Sequence, residues 1–585
     1  MPFDGFVMAA VTSELQDKII LGRLVKISQP ERHLVIFRIK KAQNYFNLLF
    51  SAHPTTGRIH LTSTARENPL KPPLFCMVLR KHLEGGRITG INQKGLERIL
   101  EIKVEAHNEL GEQCDKTLII EIMGKHSNIL LIDPLSNNIL DGIRRYNHSV
   151  SRYREVLPGK PYLPAPSQNK ADPLFTDEEE FRSLILSLPL TTKISKAIVQ
   201  NFSGFSPLLA REIVFRSGLF EDAMIDNLGD YELIRLWQAF QDLKETVKTA
   251  NYQATVIKHG WELNDFLPVQ TVQYTKEETE EFSSISEALD YFYQTKELQN
   301  LFSSRQRELT KIIKNETVRV EKKLSLQSMK LLEAEDAEKF KFFGELITAN
   351  LHRLSQGIEK ATLDDFYRPG QTVEVLFDPT LTPIGNAQLY FKKYNKAKSS
   401  KTLIQEQIDK GREELNYLES VLSSIEHSES LKDLDEIRAE LVDSGYLKEK
   451  SPQRRGKPEK DSPQPLSFTS KDGYSILVGK NNKQNDLLTQ RIAHKNDLWL
   501  HAKNIPGSHV IIRKKPGTEI PFSTIEEAAK LAAFFSKARN SSQVPVDYTI
   551  VRQVKKPHGA KPGMVIYFEQ KTLYVTPETP NKSEK

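Results

Sequence analysis

The spacing of hydrophobic positions changes along the chain, and each change marks a predicted unit. Over residues 1–170 short apolar runs alternate with turns: HLVIFRI (33–39), RILEIKVEA (98–106), KTLIIEIM (116–123) and SNILLIDP (127–134). Runs of this length, rich in β-branched residues and bounded by turn formers, predict strands. An amphipathic helix is expected ahead of them over Phe6–Leu21, and the Pro-rich LPGKPYLPAPSQ (157–168) closes a mixed α/β domain. Residues 171–285 read as mostly helical. Within them ISKAIVQNFSGFSPLLAREIVFRSG (194–218) predicts helix, Gly-containing turn and helix. This is the helix-hairpin-helix pattern, whose turn amides can face a phosphate, and an ordinary packed helix pair fits it equally.

From 286 to 357, and again from 396 to 445, the period lengthens toward a heptad. Ile408, Leu415, Leu418, Leu422 and Ile425 share a seam in which Gly411 fills one position, and Ile313, Val320, Leu324 and Leu331 mark a mate. Two such arms around an insert (358–395) predict a long antiparallel coiled coil with a small head. An arm of about 70 residues reaches on the order of 100 Å at 1.5 Å per residue. The composition of 446–465 predicts a disordered linker. The last unit, 466–578, alternates strands with helices, and Ser523 with Glu526 is expected to form a capping box; a disordered tail follows. The fold class is therefore multidomain α+β: a mixed N-terminal domain, a helix-hairpin-helix region, the coiled coil with its head, and an α+β C-terminal domain.

Charge sharpens this picture. The 585-residue chain has a net charge of +6, but residues 466–585 hold 19 Lys/Arg against 10 Asp/Glu, and the remainder holds 63 against 66. A localised cationic surplus is the footprint of a polyanion such as nucleic acid, or else a solvated basic surface. Only two cysteines, Cys76 and Cys114, occur, which fits a reducing cytoplasm without a disulfide framework. No cationic leader, no apolar run long enough for a bilayer, and no wall-sorting motif is read, so a cytoplasmic protein without a membrane partner is expected.

Catalytic signatures are missing. There is no GxxxxGK[ST], HExxH, GxSxG or dinucleotide fingerprint, so no catalytic residue, metal or cofactor is assigned. The run NDLWLHAKNIPGSHVIIRKK (496–515) predicts a strand, a Pro-Gly turn and a second strand, with His501 and His509 flanking the turn. Hydrogen-bonding roles suit these histidines better than metal, because further ligands at fitting spacing are absent. Trp499 alternates with Leu498 and Leu500 as a core residue would. In the insert, Tyr390, Phe391, Lys392, Lys393 and Tyr394 interleave aromatics with cations, as a stacking surface for RNA would, and equally as a helix with aromatics inside and lysines outside.

Several long strings resemble the NFACT family: MPFDGFVMAAV, LRKHLEGGRI (79–88), IIEIMGKHSNILLID (119–133), FDPTLTPIGNAQLYFKKYNKAK, and NNKQNDLLT with DLWLHAKNIPGSHVIIR. The resemblance spans nearly the whole chain. It implies an NFACT-N domain (1–170) of glycosylase-like fold and an NFACT-R RNA-binding domain (466–578). It further implies a factor of ribosome-associated quality control that binds stalled large (50S) subunits carrying peptidyl-tRNA, through 23S rRNA and ribosomal proteins. Such a factor recruits alanyl-tRNA and promotes mRNA-independent C-terminal alanine tailing. Peptide bonds are then made by the ribosome, and this chain is not an enzyme. A small S4-like RNA-binding heat-shock protein is a further implied partner.

The family's Asp-Arg pair for tRNA matches Glu97 and Arg98, where the carboxylate is one methylene longer, and its EIM string matches Glu121, Ile122 and Met123. Arg144 and Arg145, with Arg152 and Arg154 nearby, are further expected tRNA contacts. In the NFACT-R domain, His501, Lys503, His509, Arg513, Lys555 and Lys556 are expected to hold RNA, as are Lys392 and Lys393 in the insert. Two rival readings remain: a DNA glycosylase-like enzyme using Pro2 as an amine nucleophile, in which Phe3 stands where those enzymes carry a catalytic Glu, and a fibronectin-binding surface adhesin.

Overall fold

Asp4 starts the first helix, α1 (Gly5–Ile19), by accepting the Val7 amide at 2.9 Å. The expected amphipathicity holds only in the second half, where Gln16 and Asp17 are exposed and Leu15 and Ile19 buried; Gly5 through Thr12 are all buried. A helical stretch apolar all round is buried on all sides, and this first half of α1 lies between two cores. Phe3, Val7, Met8 and Val11 join the first, and Phe6 and Ala9 the second.

The computed structural model describes residues 3–107, 111–149, 153–166, 168–260, 262–335, 337–448 and 464–578. Pro2, Arg152, most of the expected linker and the expected disordered tail lie outside these. The chain divides into two compact units, Met1–Gln299 and Asn300–Lys585.

In the first unit, β1 (Arg23–Glu31), β2 (Leu34–Lys41), β3 (Asn44–Ser51) and β4 (Arg58–Leu61) are followed by α2 (Leu74–Leu83). Then come β5 (Arg87–Gln93), β6 (Ile99–His107), β7 (Gln113–Glu121), β8 (Asn128–Asp133) and β9 (Asn138–Gly142). They form one sheet of nine strands, ordered β4-β3-β2-β1-β5-β6-β7-β8-β9. The apolar runs predicted as strands fall in β2, β6, β7 and β8.

Four helices carry the second core: α3 (Glu178–Leu186), α4 (Ile194–Asn201), α5 (Pro207–Arg216) and α6 (Asp230–Thr249). The mostly helical reading of 171–285 needs correction, because β10 (Ala254–His259), β11 (Glu262–Leu267) and β12 (Thr279–Phe282) form a small sheet there. The β-branched ATVI opening β10 suits a pleated, buried surface and favours strand over helix.

The helix α7 (Ile285–Glu335) begins in this unit. Its Asp290 accepts from His60 Nε2 (3.3 Å), Thr62 Oγ1 (2.7 Å), and the Ser63 amide (3.0 Å) and hydroxyl (3.1 Å). Burial works against the Asp290 charge, yet these donors, His60 first, hold its carboxyl well below the usual range. His60 itself is kept neutral by burial.

In the second unit α7 runs antiparallel to α9 (Pro383–Glu426): Gln306 bonds the Ile425 carbonyl, Leu324 meets Gly411, and Gln327 bonds Gln407. A Cβ on Gly411 would stand 2.6 Å from Leu324 Cδ2, so glycine is what admits the leucine. Leu309, Ile313, Val320, Ile425 and Leu418 are buried between the helices and α10 (Leu431–Asp443). The insert differs from expectation in its end. Thr382 caps α9 through the Gly385 amide with Pro383 in the first turn, so the helix takes in the aromatic-lysine run that was placed outside the second arm. The head comprises α8 (Ala337–Ala349), β13 (Lys360–Asp364), β14 (Thr372–Leu376) and the start of α9.

The C-terminal part contains β15 (Leu466–Thr469), β16 (Ser475–Val478), α11 (Asn482–Leu487), β17 (Leu498–Ala502), β18 (Val510–Ile512), α12 (Phe522–Phe534), β19 (Val544–Ile550), β20 (Val554–Lys555), β21 (Ile566–Tyr567) and β22 (Lys571–Val575). Six strands make one sheet, ordered β15-β16-β18-β17-β19-β22. The expected capping box is absent. Pro521 precedes α12, and Ser523 gives its hydroxyl to Asp472 instead of the helix.

Replacing Asp290 by Ala is expected to lower the stability of the first unit by about 3 kcal/mol, since it strands buried donors. Denaturant unfolding of the full chain at pH 7 measures this against the exposed Glu262→Ala. Equal midpoints for the two variants would refute the anchoring role.

Candidate nucleic-acid interface

Three loops of the first unit meet at the N-terminus of α1. The β5–β6 turn carries Leu96, Glu97 and Arg98, and Gln93 Nε2 spans from Glu97 O to Gly5 O at 2.9 Å each. The α4–α5 turn approaches from the other side: Gly204 accepts the Gly5 amide at 2.9 Å. Gly204 has φ +84° and lies so near Leu96 that a Cβ would stand 2.7 Å from the leucine's own. Asp4 closes the junction by accepting the Ser206 amide at 3.2 Å. Burial raises the Asp4 carboxyl above its ordinary value, while its hydrogen bonds to Ser206 and Val7 and the Arg98 charge pull the other way.

The third loop follows β7. The Ile122 amide donates to Arg98 O at 2.9 Å, which sets the EIM string directly beside the Glu97-Arg98 pair. Met123 N donates to Ser127 Oγ at 2.9 Å, and Arg144 Nη1 holds the Lys125 carbonyl at 2.6 Å. Lys170 lies close enough to feel both Glu97 and Arg98; burial first lowers its pKa, and its ammonium bonds the Val199 carbonyl at 2.8 Å. Glu97, Arg98, Met123, Arg144 and Lys170 thus form one partly exposed neighbourhood.

Other expected contacts are placed differently. Glu121 is fully buried, pairs with Arg154 through both oxygens, and accepts from Tyr162 at 3.1 Å. Burial disfavours the Arg154 charge, but Glu121 more than offsets this and raises its pKa. Both residues serve to fasten the 154–163 segment to the sheet, leaving neither open to tRNA. Ile122 is fully buried as well. Arg145 makes a bidentate pair with Asp141 at 2.7 Å and stays exposed. The helix-hairpin-helix turn has spent two of its amides internally, Ser206 N on Asp4 and Leu209 N on the Ser206 hydroxyl. Neither is left for a phosphate.

In the second unit, β17 and β18 form the expected hairpin, pairing Leu498 with Ile512 and Leu500 with Val510. Trp499 is fully buried. His509 is 1% exposed and bonds Thr489 at 2.7 Å, so it cannot meet RNA from where it sits. His501 faces a cavity, its ring edge-on to His509 at 5.5 Å. Burial pushes His501 down to about 4 and His509 well below its ordinary value, so both are neutral at physiological pH.

The expected cations are mostly engaged. Arg513 pairs with Asp497 at 3.0 Å, Lys503 with Asp547 at 3.9 Å, and Lys556 with Asp486. Of these four basic residues, Lys555 alone is exposed without an ion pair among the described residues. In the head, Tyr390 is buried and donates to the Leu376 carbonyl, and Phe391 packs beside it, so the aromatics face the core. Lys392 is exposed, and Lys393 covers the Tyr390 ring at 5.1 Å.

Sequence reasoning missed Asp4, Lys170 and the polar clasp on α10. Asp4 could have been found as a cap residue before an apolar run. The clasp joins the NNKQND segment to the acidic face of α10: Lys480 to Asp433 (3.0 Å), Asn481 to Glu436 (2.8 Å), Asn482 to Glu440 (3.1 Å) and Lys483 to Asp443. Among the described residues, no group of three or more metal-ligating side chains is assembled, and no helix is long and apolar enough to cross a membrane.

Residues 4–460 match the model of the NFACT N-terminal and middle domains, and residues 464–567 that of the NFACT protein RNA binding domain. The chain is 41% identical over 580 residues to the Rqc2 homolog RqcH of Bacillus subtilis (strain 168), covering 99% of this chain and 98% of that protein. It is 23% identical over 377 residues to the human ribosome quality control complex subunit NEMF, covering 61% of this chain and 33% of that protein. Among solved structures, the N-terminal part of the fibronectin/fibrinogen-binding protein from Streptococcus suis is 29% identical with a TM-score of 0.43, covering 50% of this chain and 99% of that one.

The buried histidines carry a pH signature. Unfolded, His501 takes up a proton near 6.5; folded, it does so only near 4. Between those values the unfolded chain binds more protons, so stability falls as pH drops below 6.5. The unfolding midpoint of the second unit is expected to decline from pH 7 to about 5, and less steeply in His501→Asn. An identical slope in that variant would remove His501 as a source.

Proposed function

The chain belongs to the NFACT family, and from that premise we propose that it is a ribosome-associated quality control factor. In this reading it binds large ribosomal subunits that retain peptidyl-tRNA, recruits tRNA charged with alanine, and promotes C-terminal tailing of the stalled chain without mRNA. The observation that carries it is the end-to-end similarity to a protein named Rqc2 homolog RqcH. The name of the more distant human relative points the same way.

The neighbourhood of Arg98, Met123, Arg144 and Lys170 supports a tRNA contact in the first unit, where a guanidinium fork suits phosphate or a base edge. We read the α7–α9 pair as a coiled-coil arm, in keeping with Ile313, Val320, Leu418 and Ile425 buried at heptad spacing. Residues 466–578 are then the RNA-holding domain, and the work is non-catalytic and cytoplasmic, with peptide bonds made by the ribosome. A glycosylase reading is disfavoured by Phe3, which is fully buried in the core at the position that reading needs for a catalytic carboxylate.

Sequencing the RNA that co-purifies with the tagged protein, beside the Arg98→Ala variant, tests the proposal. Large-subunit rRNA plus one enriched tRNA family, with the tRNA reduced about tenfold in the variant, is the expected result. Bulk RNA without a preferred tRNA, unchanged in the variant, would overturn the tRNA-delivery role.

A further inference from the structure

The hairpin between β17 and β18, the loop before β21 and the flank of α9 enclose a cavity of about 390 Å³. That volume lies in the range of small-ligand sites. Its walls are aromatic: Tyr417 comes from α9, His501 from β17 and Tyr567 from β21. Beneath them Trp499 stacks on the His501 ring at 5.7 Å and 17° and packs on Tyr567 at 4.8 Å, which makes this wall rigid. The two tyrosine hydroxyls are tied back, Tyr417 to Glu440 at 2.9 Å and Tyr567 to Asp547 at 3.0 Å. Tyr417 is buried with Lys561 over its ring and closes the hollow, so the half-buried rings of His501 and Tyr567 are the ones offered to an occupant.

The polar lining is uncharged. His501 is neutral and has no attraction for phosphate, and His509 behind it is neutral and tied to Thr489. The side-chain amides of Asn416 and Asn504 line the cavity, are exposed, and make no hydrogen bond to another described residue. Side-chain amides pair with base edges, and flat aromatic walls stack on base faces. Cations lie outside the lining. Lys561 spans the Tyr417 and Tyr446 rings at 4.6 Å each, and Lys555 is exposed on β20. A hollow that is aromatic and neutral within and cationic beside its wall suits a nucleotide with the base inside and the phosphate outside.

We infer that this cavity binds one unstacked base of a single-stranded RNA segment against the His501–Tyr567 wall. The inference deepens the proposed RNA-holding role of the C-terminal domain and rests on it. It also gives the histidine hairpin a part that exposed phosphate contacts do not: it forms the floor and turn of a base site.

The test compares binding of the full-length protein to an oligoadenylate of about twelve residues and to an abasic ribose-phosphate chain of equal length, by fluorescence anisotropy. The wild-type protein is expected to prefer the base-bearing strand about tenfold. Filling the cavity, by Met564→Trp or separately by Asn416→Trp on the exposed face of α9, is expected to bring that ratio close to one. Unchanged thermal unfolding qualifies each variant. A wild-type ratio near one, or a preference that persists in both variants, would overturn the base site while leaving phosphate-mediated RNA binding in place. Binding to neither strand would overturn the base site and the RNA-holding role together.

Discussion

The buried carboxylate of Asp4 is the constraint on which the first unit's candidate site depends. One oxygen caps α1 and the other receives the Ser206 amide, so a single side chain fixes the helix, the α4–α5 turn and, through Gly5 and Gly204, the turn that carries Arg98. Leu96 can enter the gap only because Gly5 and Gly204 lack a Cβ, and its seat determines where Glu97 and Arg98 emerge. The geometry of the partly exposed neighbourhood is thus set by groups that no ligand would touch. The Glu97 side chain lies on the partly exposed side of this framework.

Much of the fold was legible where hydrophobic period and punctuation agreed. The runs in β2, β6, β7 and β8, the Pro-Gly hairpin of β17 and β18, and the seam of Ile313 with Ile425 all follow from local spacing. The failures have physical causes. The first half of α1 reads as amphipathic only if one partner is assumed, and it has two. The β10–β12 sheet hides in a region whose charged residues, such as Glu280 and Glu281, resemble a solvated helix. The end expected for the insert, at 395, misses that a proline can open a helix as well as end one, and Pro383 stands in the first turn of α9.

The candidate site was less legible, because a sequence shows charge without showing its partner. Glu121 with Arg154, Arg145 with Asp141, and Arg513 with Asp497 are each expected contacts that the fold consumes. Pairing of Glu121 with Arg154, 33 residues apart, or of Asp497 with Arg513, 16 apart, cannot be seen from composition. The same holds for the histidines: their spacing about the turn is visible, but their neutrality comes from burial between Trp499, Tyr567 and each other.

The clasp on α10 shows how a cationic domain can serve two ends. Lys480 and Lys483 meet Asp433 and Asp443 while Asn481 and Gln484 share Glu436, so a row of carboxylates spaced along one helix face receives the segment after β16. Partly exposed ion pairs such as Lys483–Asp443 contribute little each and weaken with salt. The amide contacts to Glu436 and Glu440 are less exposed and fix register. Of the cations in the C-terminal surplus, those facing α10 are therefore neutralised by the chain itself. Any polyanion drawn to the domain must be met by the remainder, among which Arg491, Lys495, Lys514, Lys555 and Lys571 are exposed, outside the neutral cavity rather than within it.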